Sequence, residues 1–144
     1  MNPLNSLAEY EEFIYRLPQQ FPAIEYSTLL VMRRGAATAL VRGEVSFSGG
    51  RRLVISERLI LDAGTMQIVS YGYEVWQGTE KLYWYDSQPH PDDPTLADTH
   101  PHHKHIPPDI KHHRLSAPGL SFTTPNLPFL IAEIEQDLSN ASKL

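Results

Sequence analysis

Hydrophobic and polar positions along the chain change period twice. Leu7, Tyr10, Ile14 and Leu17 recur at helical spacing behind Ser6-Leu7-Ala8-Glu9, a capping-box pattern. Glu9, Glu11 and Glu12 suit the positive end of that helix, and Pro18 is expected to stop it, so the spacing predicts a helix over 6–17. From about residue 23 the period becomes two. Ile24, Tyr26, Thr28, Leu30 and Met32 form one inward series, and Ala37, Ala39, Val41, Val45 and Phe47 a second. Ser48-Gly49-Gly50-Arg51 supplies glycines for a tight hairpin, followed by Leu53, Ile55, Leu59 and Leu61. A fourth strand is expected near Gln67–Trp76, and a fifth over Leu82–Asp86. Connections this short make neighbours antiparallel. Helical period returns with Leu127, Leu130, Ile131, Ile134 and Leu138 behind Thr124-Pro125.

The fold class read from this is α+β. A twisted antiparallel meander of about five strands packs one face on N- and C-terminal helices. The 144 residues suit a single domain, divided as helix 6–17, sheet 23–86, loop 87–123 and helix 124–138, with Ser139 to Leu144 as a frayed tail.

Within that frame Glu57 breaks the pattern. It falls in the inward series Leu53, Ile55, Glu57, Leu59, Leu61, and a buried carboxylate is costly unless paired or protonated. It is expected to be at least partly buried and bonded to a cationic or histidine side chain, where it would orient a histidine or act as a base. A bulge turning it outward, or a salt bridge with Arg58 or Arg42, is the structural alternative.

The stretch between the last strand and the last helix is different in kind. Pro89 to Pro118 holds seven prolines and all seven histidines, which rules out helix interior or central strand. Its centre is Asp98-Thr-His-Pro-His-His-Lys-His-Ile106. In an extended segment His100 and His102 point together, and His103 and His105 to the other side. Either pair offers two ligands to zinc or another transition metal, with His90, Asp86, Asp92 or Asp93 completing the shell, although the spacing matches no standard zinc pattern. The alternative is metal-free acid–base chemistry by His102, His103 and His105, with no cofactor and with Lys104 contacting a phosphate. A third reading is a solvated loop without chemistry. Asp86 reads as a turn-former, and Lys111-His112-His113-Arg114 as a solvated basic turn.

Charge and composition narrow the field. Net charge is −5 and the sequence pI about 5.7, which disfavours broad binding to nucleic acid. The loop is nonetheless a local basic patch that strengthens as histidines protonate. There is no cysteine, hence no disulfide or thiol nucleophile. No apolar run is long enough to span a membrane, the N-terminus does not read as a signal peptide, and a cytoplasmic location is expected. Tyr71, Tyr73, Tyr83, Trp84 and Tyr85 crowd the last two strands, either as packing or as stacking surfaces for a base. Tyr71, Tyr73, Tyr85, His90 and Arg58 are the candidate substrate contacts.

Ser70-Tyr71-Gly72-Tyr73-Glu74-Val75-Trp76-Gln77 resembles the Y-S-Y-x-W-Q strand of the TumE family of small toxins. Leu82-Tyr83-Trp84-Tyr85-Asp86 is similar to its L-x-x-R-Y-D strand, with Trp84 where the family often has arginine. His90-Pro91 and Pro101-His102-His103-Lys104-His105-Ile106 resemble its P-H-H and P-H-H-K-H-V segments. Arg52 to Leu61, with Glu57-Arg58, is similar to the preceding strand, and the resemblance covers roughly Arg52–Leu138. It implies a bacterial toxin neutralised by a small helix-turn-helix antitoxin. Joined to the histidine chemistry, it suggests a metal-independent, ribonuclease-like enzyme acting on RNA. The alternative is a non-catalytic module whose loop, through His100, His102, His103 and His105, holds a transition metal, or holds a protein partner.

Overall fold

The computed structural model describes residues 2–141. Helix α1 (Leu7–Tyr15) and a short α2 (Leu17–Gln20) precede strands β1 (Tyr26–Ser27), β2 (Leu30–Arg34), β3 (Thr38–Ser46), β4 (Arg51–Asp62), β5 (Thr65–Gln77) and β6 (Glu80–Asp86). Two further strands, β7 (His103–His105) and β8 (Arg114–Ser116), come before helix α3 (Leu127–Ala141). The pairings give one antiparallel sheet of eight strands, in the order β1-β3-β4-β5-β6-β7-β8, with β2 also on β3. The α+β class and the helix-backed sheet agree with the sequence reading, whereas five strands were too few. Of the three extra strands, one comes from the division of the first expected strand into β1 and β2, and two lie inside the stretch expected to be all loop. Three residues between prolines are too short to show a period, yet Lys104 still forms a ladder with Tyr85 and Leu115.

The Ser6 hydroxyl accepts the Glu9 amide, as the capping pattern requires. Pro18 does not end the helical segment. It sits in the first turn of α2, a position where its missing N–H costs nothing. At the other end α3 begins at Leu127 rather than Thr124, with Pro128 in its first turn, and continues into the segment expected to fray. The rest of that expected tail, residues 142–144, lies outside the described residues.

The first strand region shows why one inward series failed. Tyr26 and Leu30 are 55% and 58% exposed, while Leu29 is buried. The segment pairs with β3 twice, as β1 and as β2, with Thr28 and Leu29 between the two ladders. Gly43 lies opposite at φ +140°, and a β-carbon there would stand 2.7 Å from the Thr28 carbonyl oxygen. This close approach shifts side-chain parity between the two ladders.

One hydrophobic core fills the space between the sheet and the helices. Val41, Val45, Leu53, Ile55, Leu59 and Val75 meet Tyr10, Ile14 and Leu17 from the N-terminal helices and Leu127, Leu130, Ile131 and Ile134 from α3. Each such side chain contributes about 1.5–3 kcal/mol on full burial. A register shift between Arg58 and Leu59 brings both Ile68 and Tyr71 onto the core face and leaves Val69 exposed.

Candidate functional site

Glu57 stays inward, 1% exposed. Its partners are neutral tyrosines, which corrects the expected cation or histidine. The Tyr10 hydroxyl donates to Oε1 and the Tyr73 hydroxyl to Oε2, each at 2.5 Å, and Asn126 Nδ2 donates to the Tyr73 oxygen at 3.0 Å. Burial raises the Glu57 pKa, and the two hydroxyl donors only partly oppose it. Arg58 points to the opposite face and is exposed. The carboxylate thus joins α1, β4, β5 and the residue preceding α3 through tyrosine hydroxyls and Asn126.

The histidines assemble on the other face. Asp86 pairs with His103 and Trp84 with His105, so alternation places Asp86, His103 and His105 together on the side of the sheet away from the helices. His103 Nε2 lies 2.8 Å from Asp86 Oδ1, His105 Nε2 lies 3.4 Å from Asp86 Oδ2, and the two Nε2 atoms are 3.0 Å apart. Both imidazoles are anchored from behind. His103 Nδ1 faces the Pro101 carbonyl at 2.9 Å and His105 Nδ1 the Ile110 carbonyl at 3.0 Å. A carbonyl only accepts, so each Nδ1 carries hydrogen and each Nε2 of a neutral ring presents a lone pair.

The loop keeps this triad nearly closed. His103 and His105 are 1% and 3% exposed. Trp84 lies against His105 with ring centroids 4.4 Å apart, and its indole N–H donates to the same Ile110 carbonyl. His90 meets His103 edge-on at 4.7 Å. Asp86 is the most accessible member, and it lines a cleft of about 530 Å³ with Ser70, Tyr71, Gln88, Pro101 and Phe122.

Burial opposes charge on all three groups. For Asp86 it is outweighed by the hydrogen bond and charge of His103, the Gln88 amide and the charge of His105, leaving the carboxyl below its ordinary range. Burial also works against protonated His103, but Asp86 and the Pro101 carbonyl overcome it and raise the imidazole. His105 is lowered, by burial first, despite Asp86 and with the charge of His103 adding to the effect. The neighbouring imidazoles are therefore driven apart.

The other expected site residues fall elsewhere. His102 turns away from His103, hydrogen-bonds Tyr71 through Nδ1 at 2.5 Å, and is lowered chiefly by burial. His100 is exposed and borders a separate cavity with Asp98, Thr99 and His102. The four-histidine metal set is thus not brought together. Lys104 points to the helix side, 3.2 Å from Glu133 Oε2 and over the Tyr83 ring at 4.2 Å. Tyr73 and Tyr85 are buried, and Tyr85 is bonded to Glu133 at 2.8 Å, so neither presents a stacking face.

Two residues come close to the centre that were given lesser parts: Asp86, read as a turn-former or as one of four residues able to complete a metal shell, and Arg114, read as part of a basic turn. Asp86 does form the expected turn, accepting the Gln88 amide at 3.0 Å, but also holds the histidine pair. Arg114, opposite His105 in the β7–β8 ladder, is a fixed cation whose charge works against protonation of His90, His103 and His105 alike. Its buried Nε lacks a hydrogen-bond partner among the described residues. Strand parity over Trp84–Asp86 and His103–His105 carried the signal, but only the β6–β7 pairing reveals it.

No curated protein and no solved structure matches the chain. No helix among the described residues is long and apolar enough to cross a membrane. A family model described as Toxin TumE matches residues 13–138, taking in the triad, Glu57 with Tyr73 and Asn126, the whole sheet and most of α3, but only the end of α1. The chain belongs to the TumE toxin family, a membership that supports a toxin-like role in a toxin–antitoxin system and implies an antitoxin as counterpart.

Proposed function

We propose that this toxin acts on RNA in the bacterial cytoplasm and that its reacting centre is Asp86, His103 and His105, with Arg114 beside it. The observation that supports the reading most is the convergence of two imidazole Nε2 atoms and the Asp86 carboxylate within hydrogen-bond range on the sheet face away from the helices. Cleavage of an RNA phosphodiester requires a proton to leave the attacking hydroxyl, another to reach the leaving oxygen, and charge on the phosphate to be stabilised. The opposed shifts of the imidazoles suit this division: His103 favours the protonated form and His105 the neutral one. Arg114 supplies a cation suited to phosphate, the role expected of Lys104. The cleft at Asp86 is the approach, with Tyr71 and His102 on its flank.

The near-closure of the histidines favours a second reading, a binding module whose triad organises the loop without turnover. Induced expression separates the two. The enzyme reading expects growth arrest with cleaved cellular RNA, abolished in Asp86→Asn and His105→Ala chains that retain the parent's circular dichroism. Intact RNA during arrest supports the module. The proposed counterpart is a small helix-turn-helix antitoxin that lays an acidic segment over the exposed Lys111, His112 and His113. Such a complex weakens with salt, because exposed charges are screened beyond about 8–10 Å near physiological ionic strength.

A further inference from the structure

We infer that Asp86, His103 and His105 form a binding site for one divalent transition-metal ion of the zinc class. The inference rests on the reading above for its centre but replaces the division of protons between the imidazoles: with an ion on both Nε2 atoms and both Nδ1–H groups tied to carbonyls, the ion's charge and its bound water would supply those roles, and binding can be tested without reference to RNA. The distances carry it. Zinc bound at about 2.0–2.1 Å holds tetrahedral ligands about 3.3 Å from one another. The two Nε2 atoms are 3.0 Å apart, and each has its own Asp86 oxygen, His103 at 2.8 Å from Oδ1 and His105 at 3.4 Å from Oδ2, separations that small side-chain adjustments bring to that spacing. The three residues also group as potential metal ligands, their donor atoms all within 4.8 Å.

The chemistry agrees with the distances. Both Nδ1–H groups are tied to backbone carbonyls, the outer contact that fixes the tautomer and orients imidazole toward a metal. Two Nε2 lone pairs and a carboxylate then face one point. These charges and lone pairs repel unless a positive species lies among them. A single proton can satisfy only part of the set, whereas a metal ion engages all three. Two imidazoles and one carboxylate suit zinc, cobalt, iron or manganese better than magnesium, which prefers oxygen ligands and retained water. Asp86, at the cleft, gives the ion its entry route and leaves further coordination positions for water or a phosphate oxygen.

The test uses the full chain, stripped with chelator and then titrated with cobalt(II) and zinc(II). Expected are one ion per chain, a visible cobalt spectrum displaced by zinc, and a melting temperature that climbs with free zinc but not with magnesium. Nitrogen-15 spectra should place the zinc-induced change on Nε2 of His103 and His105, with Nδ1 still protonated. Asp86→Asn, which preserves shape, should weaken binding at least tenfold, and His112→Ala should leave it unchanged. Absence of saturable binding overturns the inference. So does binding that Asp86→Asn does not weaken, or a zinc signal confined to His90, His100, His112 or His113. Full RNA cleavage by the stripped chain overturns the cofactor role while sustaining the RNA reading. Stoichiometric zinc in a chain that never cleaves RNA leaves the metal site standing and defeats the RNA reading.

Discussion

Two carboxylates on opposite faces of the same sheet show how partners decide the fate of a sequestered charge. Glu57 lies in the helix-backed core and receives only hydroxyl donors; Asp86 lies under the loop and faces two imidazoles. Burial pushes both carboxyls toward the neutral form. Neutral donors leave Glu57 raised, whereas partners that can carry a proton, with the Gln88 amide, pull Asp86 below its ordinary value. The first arrangement ties secondary-structure elements together. The second leaves two imidazoles and a carboxylate aimed at one another, an arrangement suited to chemistry more than to stability.

The largest expected effect lies on the histidine side. If the RNA reading holds, replacing His105 by alanine should lower cleavage by roughly 10²–10⁴, the usual loss when a positioned proton carrier is removed. Single-turnover cleavage of a defined RNA measures it, and a variant within twofold of the parent would remove His105 from the centre. The core side should respond in stability. Tyr10→Phe deletes one of the two donors to Glu57 and should cost about 1–3 kcal/mol in urea unfolding. A neutral result there would mean that solvent or another donor replaces the hydroxyl. A smaller effect tests the contrast itself through pH. Glu57 is raised on folding, so its contribution is complete below its unfolded value near 4.3 and is lost as pH rises through the folded value. Asp86 is lowered, so its contribution is present above about 3.9 and is lost as pH falls through its folded value. Glu57→Gln should flatten the first slope and Asp86→Asn the second; a common slope in both variants would erase the distinction. The smallest effect is expected from Lys104→Ala, roughly 0.5–1 kcal/mol for a partly exposed ion pair with an added aromatic contact.

Long periodic segments were legible in the sequence. The core faces of β3 and β4 and the stripe on α3 follow from spacing alone, and the inward place of Glu57 follows from the same count, whereas the register shift in β5 breaks its alternation. Its partners do not, because Tyr10 and Tyr73 reach it from elements far apart in the chain. The histidine stretch was recognised by composition, and alternation separated His102 from His103 and His105. Asp86 was there too, as a turn-former or as one of four residues able to complete a metal shell; the missing element was its pairing with His103. Sixteen residues separate β6 from β7, and no local rule says which strand a three-residue segment will join. That pairing also sends Lys104 toward Glu133 instead of toward the imidazoles. In the first strand region, the shift opposite Gly43 depends on a long-range contact that local alternation cannot register.

The late position of the β7–β8 hairpin has a consequence for synthesis. Domains fold as units while the chain emerges. Asp86 leaves the ribosome before either histidine, and Ile110, whose carbonyl holds both His105 and Trp84, follows them. Helix α3, which backs the core, emerges later still. A growing chain can begin pairing β3, β4 and β5 while its triad is still incomplete. If the triad is the reacting centre, the chain cannot act until the hairpin closes, late in its own synthesis.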